Sequence, residues 1–197
     1  MKRPAVLFAF LLFFSLAVDA QQEAPPAQSA KRTHWTENDR RELLVKAERG
    51  DDNSQMWLAA AYEQGWFGER SLSEALKWFR KSAANGNPDA QNALGQMYAD
   101  GEGVKQSYVL AAKWYRKAAE HVPDLGGAGQ GRNNLGLLYL DGRGVPKDYI
   151  QAYMWFSLFR VDNQNLVYVK EHMTEQQTLE AERRVKEWKV SHHDQQD

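Results

Sequence analysis

Residues 89–120 read DAQNALGQMYADGEGVKQSYVLAAKWYRKAAE, and variants of the same pattern lie on either side of them. Moved back 36 positions, the stretch falls on SQMWLAAAYEQGWFGERSLSEALKWFRKSA; moved forward 41, it falls on GRNNLGLLYLDGRGVPKDYIQAYMWFSLFR. Leu58, Leu94 and Leu135 come into register, as do Tyr62, Tyr98 and Tyr139, and Trp78, Trp114 and Trp155. Self-similarity at a period in the thirties marks stacked supersecondary units, none of which can bury its apolar face alone.

Each unit divides into two helical halves. In the central one, Ala90, Ala93, Leu94, Met97 and Tyr98 recur at i, i+3, i+4, i+7 and i+8, which places them on one face of a helix. Ala111, Trp114, Tyr115, Ala118 and Ala119 repeat that pattern in the second half, and no segment reads as a strand. Between the halves lie Asp100-Gly101-Glu102-Gly103-Val104 and its match Asp141-Gly142-Arg143-Gly144-Val145. A Gly just past a helix end supplies the left-handed residue that closes the last turn, and the second frees the backbone before the Val returns to the core. A dinucleotide loop would need a preceding strand and a third Gly, so this is a turn. Gly95 and Gly136, with Ala59 in the first unit, predict a point where two helix backbones come close. Trp114 is expected in the core.

The assembled pattern, A-Q-x-x-L-G-x-x-Y-x-x-G-x-G-V followed by A-x-x-W-Y-x-K-A-A, resembles the Sel-one-like repeat (SLR) family, a branch of the tetratricopeptide-like solenoids. The resemblance spans about residues 51–160, in units 51–87, 88–128 and 129–162. It implies an all-α fold, an α/α solenoid of stacked helical hairpins wound as a right-handed superhelix. It also implies a concave groove lined by the first helix of each unit. By that resemblance the groove positions are Met56, Ala60 and Glu63, then Asn92, Gln96 and Ala99, then Asn133, Leu137 and Leu140. They hold amides and apolar groups but no Lys or Arg, which suits an extended or helical peptide better than a terminal carboxylate.

Outward from the repeats, the N-terminus begins Met1-Lys2-Arg3-Pro4, continues in the apolar run 5–18 and reaches Val18-Asp19-Ala20. A basic start, a short apolar core and small residues at −3 and −1 predict a signal peptide over residues 1–20, and hence export, with the periplasm or the medium as destination. Residues 21–35 contain Pro25-Pro26 and read as a flexible tether. Thr36-x-x-Asp39 signals the start of an N-terminal capping helix over 36–50. The five-residue excess between the second and third units, Val122 to Gly129, reads as a surface loop. Lys77, Arg80, Lys81 and their matches Lys113, Arg116, Lys117 form a basic, solvated stripe, whereas the third unit places Met154, Ser157 and Leu158 there. An apolar outer face requires a cover, expected from C-terminal capping helices over 163–190, where Thr174 and Gln177 make a capping box. Residues 191–197 read as a disordered tail.

Charge is balanced, with 25 basic and 26 acidic side chains, which points to neither nucleic acid nor an anionic membrane. The chain has no Cys, hence no thiol nucleophile, disulfide or cysteine zinc site. His-Glu-x-x-His, Gly-x-Ser-x-Gly, Ser-x-x-Lys and P-loop motifs are absent. His192-His193 is a weak metal pair at best, and no cofactor is implied. Some small proteins of the resembled family are described as β-lactamases, but those carry a bridge in every unit. The residues therefore predict a non-catalytic scaffold of the bacterial cell envelope that binds a protein or peptide; the alternative is a cell-wall-related or β-lactamase-like hydrolase or accessory factor. Nothing in the sequence fixes an oligomeric state.

Overall fold

Helix follows helix through the computed structural model, which describes residues 35–122, 126–159 and 164–192. The expected signal peptide, the tether up to residue 34 and the tail from residue 193 lie outside the described residues. Among those described there are nine α-helices and no strand: α1 Glu37–Glu48, α2 Asp52–Gln64, α3 Leu72–Ala84, α4 Pro88–Asp100, α5 Tyr108–Ala119, α6 Gly127–Asp141, α7 Tyr149–Ser157, α8 Gln164–Glu171 and α9 Glu175–Ser191. Each packs on the next as far as α8, so α2–α3, α4–α5 and α6–α7 are hairpins in an all-α solenoid. Helix α4 also lies beside α6, and α9 returns across α7.

The ends of these helices are set locally. Asp51, Ser71, Asn87, Ser107 and Asp148 stand at N-caps and accept a backbone N–H two or three residues on. The first helix of each unit stops at a left-handed glycine: Gly65, Gly101 and Gly142, with φ of 70°, 77° and 71°. Thr36 with Asp39, and Thr174 with Gln177, form reciprocal capping boxes at α1 and α9.

Leu58, Leu94 and Leu135 have no exposed surface, and the core around them is filled by alanines of the second helices, including Ala75, Ala111 and Ala152. Trp78 and Trp155 are buried, but Trp114 is only half-buried against the first core cluster, with the Lys117 ammonium 4.6 Å from its ring centroid. Its packing therefore contributes less than that of the other two.

Besides the half-buried Trp114, four further details differ from the sequence reading. First, the close approach at Gly95 and Gly136 is to an aromatic ring and not to a backbone. A Cβ on Gly95 would sit 2.4 Å from the Tyr115 ring, and one on Gly136 2.6 Å from Phe156. Second, the excess between units two and three is partly helix, because Gly127, Ala128 and Gly129 are the buried first turn of α6. A Cβ on Gly127 would lie 2.3 Å from the Pro88 carbonyl, so a glycine run ordinarily read as loop is what lets α6 start hard against α4. Third, Trp35 is no tether residue: its ring stacks on Trp66 at 5.2 Å and 7° and meets Phe67 edge-on. Fourth, His192 is packed, not frayed, with its imidazole 4.0 Å from the Trp188 ring and nearly parallel to it.

At the C-terminal end, Val185 and Trp188 of α9 pack against the cluster that holds buried Met154 and Leu158. The outer face of α7, apolar where α3 and α5 carry lysines, thus has its cover.

Candidate functional site

The first helices α2, α4 and α6 bring the nine candidate groove residues into a series, but not onto one open surface. Met56 and Ala60 on α2 are half-buried against the first core cluster. Glu63, one turn on, is half-buried, and burial pushes its carboxyl above the usual carboxylate range, with Glu102 adding to the effect. On α4, Gln96 is exposed and accepts the Tyr115 hydroxyl at 3.1 Å. Its neighbours are not so placed. Ala99 is 8% exposed within the second core cluster, which leaves little of it for a ligand. Asn92 is 9% exposed; its Nδ2 donates to Gln130 Oε1 at 2.9 Å and its Oδ1 accepts from Asn134 Nδ2 at 3.0 Å. That amide relay ties α4 to α6, so Asn92 holds the wall of the face in position. On α6, Asn133 is half-buried, while Leu137 and Leu140 pack on the third cluster, which contains Val169 of α8. The apolar positions at its C-terminal end are therefore partly taken up by packing.

Two ladders of side chains position these helices, and the apolar periodicity does not announce either. The first clamps the end of each second helix. Gln55 Nε2 donates to the Ala47 carbonyl at 2.9 Å, Gln91 Nε2 to Ala83 at 3.2 Å, and Arg132 Nε to Ala119 at 2.9 Å. All three side chains are buried. The Ala47 and Ala83 carbonyls also accept the Gly50 and Gly86 N–H groups of their own turns, so at these helix C-termini the side chain supplies a second donor from the next unit along. The recurrence of Gln55 and Gln91 at 36 residues was the signal available in the sequence. The second ladder joins Arg40 to the Tyr62 hydroxyl, Arg80 to Tyr98 and Arg116 to Tyr139. The Arg40 and Arg116 guanidiniums also lie near the ring faces of their tyrosines, at 5.8 and 5.9 Å. Two members of the basic stripe therefore link units to one another.

Among the described residues there is no cluster of three or more His, Asp or Glu that could hold a metal ion, and no helix long and apolar enough to cross a membrane. Burial lowers the His121 pKa, so that ring is neutral at physiological pH, and raises that of the Tyr115 hydroxyl.

Three consecutive matches to the Sel1 repeat cover residues 52–87, 88–121 and 130–159, just over half of the chain. Among solved structures, a protective antigen present in uropathogenic Escherichia coli strains, displaying an SLR fold, is 39% identical over 60% of this chain with a TM-score of 0.56. A Sel1 repeat protein from Oxalobacter formigenes is 28% identical over 67% of this chain, with a TM-score of 0.58. The chain spans only 24% of the first of these proteins and 52% of the second. No curated protein matches it. Repeated three times with its turn glycines, its core leucines and its clamped helix ends, the pattern places this chain in the Sel1 repeat family.

Proposed function

We propose that this protein is a non-catalytic scaffold of the bacterial cell envelope that receives a protein or peptide along the inner face of α2, α4 and α6. Sel1 repeat proteins generally serve protein–protein contact, and this chain has the repeats as its main body. The observation that carries the reading is the Asn92 relay with Gln130 and Asn134. It fixes α4 against α6 beside exposed Gln96 and half-buried Asn133, giving a preformed polar stretch between the apolar surfaces of Met56 and Ala60 at one end and Leu137 and Leu140 at the other. A rigid, mixed face of that kind suits a peptide held by backbone hydrogen bonds and a few apolar side chains. The basic start, apolar run and small residues of positions 1–20 support export.

A photo-crosslinking amino acid placed at Gln96 in the encoding bacterium should yield a discrete adduct, and the same group at Lys113 on the outer side should not. Gln96→Arg with Asn133→Arg should remove a partner so identified while circular dichroism stays unchanged. Equal adducts from both positions, or none from Gln96, would remove the inner face from consideration. A fusion of residues 1–20 to alkaline phosphatase tests the location separately, activity being expected only after export.

A further inference from the structure

Three successive junctions join the end of a second helix to the first helix of the next unit, and the clamp residue finds different company at each. At the first, Gln55 gives its Nε2 to Ala47, and its Oε1 accepts from Asn85 Nδ2 at 3.1 Å; the same Asn85 amide lies 3.5 Å from the Gly50 carbonyl. At the third, the guanidinium of Arg132 reaches three carbonyls, Ala119 at 2.9 Å, Leu158 at 3.1 Å and His121 at 2.6 Å, under the ring of Trp188 at 4.7 Å. At the second, Gln91 gives its Nε2 to Ala83, but no donor of the described chain reaches its Oε1. Gln91 is 4% exposed, so this acceptor is withheld from bulk solvent. A buried acceptor without a donor is costly and rare.

The reason is visible in the register. His121 stands 36 residues after Asn85, where the amide that completes the first junction would be. Around it opens a cleft of about 500 Å³, open to the surface, lined by Ala83, Ala84, Gly86 and Gln91 on one side and Lys117, Glu120, His121 and Val122 on the other. The C-terminal ends of α3 and α5 both abut it, and helix C-termini carry partial negative charge. Glu120 adds a full negative charge at the rim, and the one cation there, Lys117, is held over the Trp114 ring.

We propose that this second junction is a binding site for a guanidinium group, supplied as an arginine side chain of a partner. The chain shows the same chemistry intramolecularly at its third junction, where Arg132 fills the equivalent space and satisfies carbonyls from both adjoining second helices. The Glu120 carboxylate at the rim and, once the junction opens around it, buried Gln91 Oε1 are the acceptors; the neutral His121 ring provides a flat surface for the planar group. The site lies at the ends of the second helices, apart from the inner face, and does not depend on what that face binds.

The test uses the ¹⁵N-labelled full chain and three probes: Nα-acetyl-arginine amide, its citrulline counterpart and its lysine counterpart. The arginine probe is expected to shift the backbone amides of Glu120 and Val122, which are present in every variant, saturably, with the citrulline probe weaker by about tenfold because its hydrogen bonds are not charge-assisted. His121→Asn, which installs the amide found at the first junction, and Gln91→Arg, which installs the guanidinium found at the third, should both fold, match or exceed the parent Tm and lose the response. The proposal is overturned by the absence of a saturable shift with the arginine probe, by equal response to citrulline, or by a shift that survives in both variants.

Discussion

At the scale of single residues, what decides is the space left beside a side chain. Gly95 is a poor helix former, and replacing it with Ala ought to gain about 1 kcal/mol from propensity alone. Its added methyl, however, would meet the Tyr115 ring at 2.4 Å, in the packed interior of the α4–α5 hairpin. Gly95→Ala is therefore expected to lower stability by about 1–3 kcal/mol in a urea melt, and Gly136→Ala to do the same through Phe156. A gain in either would show that the ring moves aside freely. Arg132 is the opposite case, a charge with 2% exposure whose neighbours are carbonyls. Arg132→Ala leaves the Ala119, Leu158 and His121 carbonyls short of a donor and is expected to cost about 3–5 kcal/mol. Arg132→Gln, copying Gln55 and Gln91, should recover a part of that through Ala119 alone. The sequence places Leu58, Leu94 and Leu135 in the core because apolar spacing reports burial. It could not place Asn92 or Ala99, since whether a position beside the apolar stripe is open depends on the neighbouring helix, and that distance is not written in any local pattern.

At the scale of elements, α6 shows how a helix can be started from outside its own sequence. Its N-cap, Gly126, has φ of 52° and offers no side chain; instead Asp89, at the start of α4, accepts the Gly127 N–H at 2.5 Å. The glycine-rich stretch reads as loop because its helix signal lies 38 residues away, on another element. Burial pushes the Asp89 carboxyl above the ordinary carboxylate range, and the bond from Gly127 offsets that only partly. A carboxyl with a raised folded pKa holds its proton more tightly in the folded chain. Its contribution is therefore most favourable below the unfolded value near 3.9, and is lost as pH rises through the raised folded pKa. Asp89→Asn keeps an acceptor for Gly127 without the buried charge. Its urea midpoint should stand above the parent's at pH 7, with the gap closing as the pH falls toward 3. A lower midpoint at pH 7 would mean that attraction between the carboxylate and the N-terminus of α6 outweighs the cost of burying the charge.

At the scale of the whole molecule, the units form a line in which each leans on its neighbours, and the ends are where the line must be finished. The sequence made this legible through one departure: Met154 and Leu158 replace the charged stripe of the earlier units, so something apolar had to lie over them. The residues that do so are Val185 and Trp188, three apart on α9, and the stacking of Trp188 over the Arg132 guanidinium was not legible, since the two are joined only by the fold. Stability in such a stack is a sum of unit and nearest-neighbour terms, so damage at one end should remain at that end. Deleting residues 174–197 uncovers Met154, Leu158 and Arg132 together and leaves the first core cluster, from Leu43 to Met97, untouched. Native-state hydrogen exchange of the truncated chain is expected to show α6 and α7 exchanging through a low-energy opening while amides around Leu58 and Leu94 keep the protection they have in the full chain. Uniform loss of protection from α1 to α7 would instead mean that the stack folds as one indivisible core, and that the α9 cap supports the far end as much as the near one.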